Sequence, residues 1–493
     1  MAEEDLRAKR DEMDGNGNTQ EDEEVVQGQQ AQAAAQDHIL MREHTDPEVF
    51  HMAVWGRVFN RRRDTARVPR AVVRASSKAH VREAVELAIR LRCRVSVRSG
   101  GHSWAAWSVR QDAVLLELAG LRHMVYDPRT RIVSCSPSAT GEQVNGFLGA
   151  QGRFFAGGHC PDVGLGGFLL QGGMGFNCKN WGWACESIIG IDVVTADGKE
   201  LYCSSSENSD LFWAVRGAGP GFPAIVTCFH LLTRPLLPMY NSVYIYPQSM
   251  FRTALQWVID TCPTADPDTE IVCLTKRTAG EGDIEVIAGF LSFKASKADA
   301  EEAMRPIHDS RPDGEKLAIF VQPTNLATQY AEQRAEQPTG YRFCTDNVYI
   351  RNDIDDVSAV LEKAFTSLPT QKSFALYFAL NPTSRRALPD MALSVQSDHY
   401  VSLYSIWDDD SDDARCTDWV HDMLRDVERH SAGSYMGDAD FQHRTTRFWS
   451  KENGERLRQI RRKWDPEGRI CGYLDADDTS GVQGLKNEYE WVT

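Results

Sequence analysis

The chain has 493 residues, more than one typical domain needs, and its 42% hydrophobic and 25% charged content is that of a globular protein able to build sizeable cores. A net charge of −16 argues against a general affinity for nucleic acid or an anionic membrane, and no apolar run reaches bilayer-spanning length. The 12 cysteines include no C-x-x-C pair, which is the pattern of neither a zinc site nor a dense disulfide framework.

Residues 1–37 are acidic, Gln/Ala-rich and nearly free of aromatics. Such a segment cannot bury enough apolar surface to offset the entropy of ordering and is expected to be disordered, with an acidic interaction arm as the other reading. The N-terminus has no hydrophobic h-region, so it is not a secretory signal and an intracellular, cytoplasmic location is expected.

Arg67–Arg74 predicts a short strand after Pro69, and Ser76 or Ser77 caps a helix over Ala79–Arg92, where Val81, Val85, Ala88 and Leu91 recur at helical spacing. Val95 and Val97 alternate as a strand entering a glycine turn, Ser99-Gly100-Gly101-His102-Ser103. Strand, helix, strand and turn make a βαβ-type beginning, but without the G-x-G-x-x-G of a dinucleotide fold. Further strands are expected at Ala113–Leu118 and Arg131–Cys135, and a helix capped by Thr140 at Thr140–Ala150. A second glycine-rich stretch, Ala156 to Phe176, carries Cys160. Ile188–Thr195 reads as a buried strand, Asp197-Gly198 as a hairpin turn, and Ile225–Leu232 as another strand.

From about Met239 the pattern changes to amphipathic strands (Asn241–Pro247, Glu270–Thr275, Ile284–Phe293, Phe374–Leu380, Tyr400–Trp407) and helices (Ala295–His308, Val357–Leu368), closing with a helix at Lys451–Lys463.

Glycine turns let backbone approach a ligand closely, and successive N–H groups in them bind phosphate. A cofactor with a pyrophosphate and a reactive ring suits two such turns, one holding His102 and one Cys160. Together SGGHS, GHCPDVGLGG and QGGMG resemble the berberine-bridge-enzyme-like branch of the vanillyl-alcohol oxidase/p-cresol methylhydroxylase (PCMH) flavoproteins, from roughly Asp46 to Asp475. The resemblance implies an α+β fold of two domains: a PCMH-type FAD-binding domain at 38–236 and 441–493, and at 237–440 a substrate domain of antiparallel sheet backed by helices. It implies FAD bonded through its 8α carbon to His102 and through C6 to Cys160. The cofactor-binding set it carries over is Arg98, Ser99, Gly100, Gly101, His102, Ser103, His159, Cys160, Val163, Gly164, Gly166, Gly167, Gly172, Gly173, Gly175, Ile225 and Val226.

His102 read alone is a loop hydrogen-bonder, and Cys160 read alone is a small buried hydrophobe. The turn N–H groups and His159 are expected to lower the Cys160 thiol pKa and so free a thiolate. Val163 takes the position that faces the flavin C4a edge in the family, where a small residue goes with reactivity toward O₂. Trp181 stands where the family often has an active-site Tyr; Trp181 and Trp183 form either a stacking wall or part of a core.

With His102 and Cys160 used by the cofactor, the base that removes a substrate proton lies elsewhere. By resemblance it is Tyr435, in a partial match to Tyr-x-Asn in which Gly437 replaces the Asn, with Asp438 as its orienting group. Tyr400 and Tyr404, on one face of a strand with Ser402, are a second set, and ordinary sheet tyrosines are the plain alternative. Asp408–Asp413 is a solvated acidic turn or a cation site; no metal is assigned.

The expected reaction is hydride transfer from a hydroxylated small molecule, a carbohydrate or a secondary metabolite, to bicovalent FAD, with O₂ as acceptor and H₂O₂ as product. A dehydrogenase, a C–N or ring-closing oxidase of the same family, and a flavin-bearing binding protein without turnover stay open, as does the choice between monomer and homodimer.

Overall fold

The computed structural model describes residues 38–278, 280, 282–440, 444 and 446–472. The expected disordered tail, the return of the chain near Phe441 and everything after residue 472 lie outside them.

Three sheets carry the architecture. The first takes β1 (Ile39–Met41), β2 (Ala71–Arg74), β3 (Val95–Arg98) and β4 (Val114–Glu117) in the order β1-β2-β4-β3, with β4 parallel to both neighbours. The strand–helix–strand beginning is therefore real in chain order, but β4 lies between the two strands it connects. β2 is the short strand expected after Pro69; before it Arg67 turns inward, its guanidinium donating to the carbonyls of Ala105 (3.0 Å) and Val109 (3.2 Å). The intervening helix, Lys78–Leu91, starts at Ser77, whose hydroxyl accepts the His80 N–H, and stops at Arg92 in the left-handed region. Its Val81, Ala84, Val85 and Ala88 are fully buried against the sheet.

The second sheet contains β5 (Met124–Asp127), β6 (Ile132–Cys135), β8 (Ile188–Thr195), β9 (Glu200–Cys203) and β10 (Ala224–Leu232) in the antiparallel order β5-β6-β10-β8-β9; the short β7 (Arg153–Phe154) pairs instead with β11 (Arg234–Pro235). Gly198, at φ +83°, makes the β8–β9 turn that Asp197-Gly198 predicts. Helix Gly141–Gly149 begins with a capping box in which Thr140 accepts the Gln143 N–H and Gln143 accepts the Thr140 N–H.

The third sheet has eight strands: β12 (Met239–Pro247), β13 (Thr269–Arg277), β14 (Ile284–Phe293), β15 (Leu317–Thr324), β16 (Arg342–Ile350), β17 (Phe374–Ala379), β18 (His399–Trp407) and β19 (Ser431–Gly433), ordered β15-β12-β14-β13-β17-β18-β16-β19 and antiparallel where paired. Period-two alternation splits it into two faces. Tyr244, Ile271, Cys273, Val286 and Ala288 are fully buried against helices Phe251–Thr261, Lys297–Asp309, Val357–Thr366 and Asp413–Val427. The residues between them point into a cavity. Two parts of this layer carry no sequence signal. β16 is buried almost end to end and does not alternate, and helix Leu326–Glu336 is polar with only Tyr330 buried.

Candidate active site

A cavity of ≈ 920 Å³ opens between the glycine loops and the free face of the eight-stranded sheet. That is the upper end of the roughly 300–1,000 Å³ of small-ligand sites. Its loop side is lined by Arg98 to Ser103, by His159, Cys160, Val163, Gly164, Gly166 and Gly167, and by Ile225 and Val226.

The two motifs meet because they lack side chains where they touch. A Cβ on Gly100 would stand 2.5 Å from the Gly164 nitrogen, and one on Gly164 would stand 2.8 Å from the Gly100 nitrogen. Such approaches need glycine at both positions. Arg98 lines the cavity while its buried guanidinium is spent on structure, donating to Glu117 at 2.5 Å and to the Ala53 carbonyl at 2.7 Å and tying β3 to β4 and to helix Pro47–Trp55. Burial pulls the Arg98 pKa down and the Glu117 carboxylate partly restores it. Gly172, Gly173 and Gly175, expected at the cofactor, do not line the cavity. Gly172 packs on Leu393 and Trp183, Gly175 sits under the Ala156 carbonyl, and Gly173 donates its N–H to Tyr435. They shape the loop that carries the lining residues.

His102 stacks on Phe59 with centroids 4.4 Å apart, and its Nε2 lies 3.4 Å from Asp162 Oδ2. Burial works upward on Asp162, but the His102 contact brings its carboxyl below the ordinary value. Cys160 is held by a helix the sequence did not reveal. Its S–H donates to Gln337 Oε1 at 3.2 Å, and Gln333 Nε2 donates to its sulfur at 3.7 Å. The expected thiolate is corrected here. Burial pushes the Cys160 thiol up, Asp438 and Asp162 add to the shift, and Gln333 opposes it only in part. His159 is turned elsewhere, its Nε2 meeting the buried Glu270 at 2.8 Å across to β13.

The tyrosines separate. Tyr435 is buried, and its oxygen accepts the N–H groups of Gly173 and Met174, each at 3.1 Å. Asp438 does not orient it. Asp438 instead accepts the Tyr400 hydroxyl at 2.6 Å and is also reached by that of Tyr404, from the strand that has no acid of its own. Burial raises the pKa of all three phenols and of Asp438; for the phenols the Asp438 charge adds to it. Trp183 is core, with its N–H on Gln396, and Trp181 packs on Phe293 at 4.7 Å; neither lines the cavity. In the acidic turn Asp413 pairs with Arg342 and accepts the Trp407 N–H at 2.7 Å, and Asp409 accepts the Ser411 N–H at 2.9 Å.

Opposite the loops, the sheet presents a floor of half-buried aliphatic side chains: Val243, Ile245, Val272, Leu274, Ile287 and Leu376. On β13 the lining residues run Glu270, Val272, Leu274, Lys276 at period two. At about 3.3 Å per residue this row extends roughly 20 Å from the His159 partner to a lysine that pairs with Glu336.

Comparison with known proteins adds the family. The FAD binding domain model matches residues 69–204 and the berberine and berberine-like model matches residues 435–468. FAD-linked oxidoreductase ptmO of Penicillium ochrochloron is 39% identical over 421 residues, covering 85% of this chain and 93% of its own. A carbohydrate oxidase of Microdochium nivale is 35% identical over 172 residues, 34% of each chain. The solved BBE-like 1 of Physcomitrella patens superposes with a TM-score of 0.78 at 16% identity, covering 94% of this chain and 99% of that one, which establishes the α+β, PCMH-type fold.

Proposed function

For a chain that belongs to the berberine-bridge-enzyme-like FAD-linked oxidoreductases, as this one does, we propose an oxidase of an elongated, largely apolar alcohol that holds its flavin by two covalent links and returns electrons to O₂ as H₂O₂. FAD, when bound, supplies the hydride acceptor. His102 and Cys160 are the side chains that would hold its ring, and the close-packed glycines 100 and 164 leave bare backbone beside it.

Asp438 takes the proton from the substrate hydroxyl. Burial lifts its carboxyl above the ordinary range and so brings it nearer the pH at which a base works best, while Tyr400 and Tyr404 hold it in place. Tyr435, its oxygen engaged by two backbone N–H groups and its phenol pushed up by burial, is a positioning residue for the Gly173–Met174 turn. Val163, a small residue lining the cavity, would leave room for O₂ beside the bound flavin.

The observation that carries the substrate class is the aliphatic floor. A sugar exchanging water for Val243, Ile245, Val272, Leu274, Ile287 and Leu376 loses hydrogen bonds that those side chains cannot return, whereas a hydrocarbon skeleton gains about 25 cal/mol per Å² of surface buried there. The test is anaerobic bleaching of the flavin by a panel of fused-ring and isoprenoid alcohols set against oligosaccharides, followed by admission of air and measurement of peroxide. Bleaching by sugars alone would overturn the substrate reading, and bleaching without peroxide would make the protein a dehydrogenase.

A further inference from the structure

Away from the cavity, the pairing of β8 with β10 places Asp192 opposite Cys228, with His230 two residues further along the same strand. The ladder shifts register between Val226 and Cys228, just before this group. One ligating atom from each of the three residues lies within 4.8 Å of the others. The side chains of Asp192 and His230 are largely buried, at 13% and 10% exposure, and Asp192 Oδ1 and His230 Nε2 are buried atoms without a hydrogen-bond partner.

These two atoms are 3.7 Å apart. The gap is too wide for a hydrogen bond and slightly wider than the roughly 3.3–3.6 Å between an N and an O ligand of a tetrahedral ion with bonds of about 2.0–2.2 Å, so a small inward shift would close the pair on a cation. The other imidazole nitrogen, Nδ1, meets Ser134 Oγ at 2.7 Å. When Nδ1–H donates to that oxygen, the Nε2 lone pair is left facing the carboxylate, as in a histidine oriented for a metal. The Cys228 thiol makes a 3.7 Å contact to the Phe229 carbonyl and also meets the backbone of Cys135. Lys78, half-exposed on the covering helix, donates to the other Asp192 oxygen at 3.3 Å, and His123 is close enough to feel both Asp192 and His230.

We propose that Asp192, Cys228 and His230 form a binding site for a borderline-soft divalent cation of the zinc class. The mixed S, N and O donor set disfavours magnesium and calcium, which take oxygen ligands, and leaves a fourth position for water. Binding replaces the Cys228 S–H bond by a metal–sulfur bond and releases that proton to solvent. The ion would pin β10 directly after Ile225 and Val226, which line the cavity. In the sequence Cys228 and His230 stand two residues apart, but Asp192 joins them only through cross-strand pairing, so the set of three is not legible there.

The test uses the flavin-loaded protein, stripped with a chelator and titrated with Zn²⁺ alone or Co²⁺ alone. One equivalent is expected, with tetrahedral cobalt bands to the red of the flavin absorption. His230→Ala and Cys228→Ala should abolish them. Ser134→Ala should weaken binding roughly 10–100-fold, as loss of an outer-shell partner does. Lys78→Met should tighten binding, because it removes the ammonium that competes for Asp192. Absence of uptake, or uptake unchanged in His230→Ala, overturns the proposal. If the ligand variants do not fold, unchanged affinity in both Ser134→Ala and Lys78→Met overturns it instead.

Discussion

Asp438→Asn separates the base from its surroundings more cleanly than any other change. Asparagine keeps an oxygen that can accept the Tyr400 hydroxyl, now at 2.6 Å, but it cannot take up a proton. Loss of a positioned general base costs roughly 100- to 10,000-fold, or about 3–5 kcal/mol of barrier. The raised carboxyl also fixes a pH signature. The base works ionised, so wild-type kcat/KM is flat at high pH and falls as pH drops through a pKa above the ordinary carboxylate value. That acid limb should vanish in the variant. The sign for stability is opposite to that for activity. The folded state holds this proton more tightly than the unfolded chain, so the ionised carboxylate costs stability above that pKa, and the amide should melt at or above wild type at neutral pH. Stopped-flow bleaching of the flavin under argon across pH, with a parallel thermal melt, reads both. A variant within about threefold of wild type that keeps its acid limb would mean that the base lies elsewhere.

Tyr435→Phe leaves the Gly173 and Met174 N–H groups without their acceptor, at about 1–3 kcal/mol each. It should lower the melting temperature by several degrees while retaining far more activity than Asp438→Asn, and the reverse pattern would return the base to Tyr435. Leu376→Asn in the cavity floor should reduce kcat/KM for an apolar alcohol by up to about 150-fold, the equivalent of one buried aliphatic side chain, and a flat response would count against the substrate class. In His102→Ala or Cys160→Ala the flavin should stay with the acid-precipitated protein, and in the double variant it should pass to the supernatant. Full release from either single variant would show that only one link exists. Gln333→Leu, which removes the donor that opposes the upward shift of the Cys160 thiol, should lower the fraction of protein carrying the second link, read by mass after alkylation of free thiol.

The local grammar of this chain was written in its residues. Ser77 and Thr140 start helices, Gly198 closes a hairpin and Ile284–Phe293 forms a strand over its whole predicted length, because caps, turns and alternation act between near neighbours. The paired SGGHS and GHCPDVGLGG motifs likewise marked one cavity, since glycine was required at 100 and 164 for the two loops to touch. What the tertiary structure alone decided is which groups face each other over long separations. It gave Asp438 to Tyr400 rather than Tyr435, and His159 to Glu270 rather than Cys160. It also brought the glutamines of an unpatterned polar helix onto the sulfur. The ionisation of Cys160 went with these choices, because a pKa depends on burial and on charges assembled from distant strands, and no short-range pattern records either.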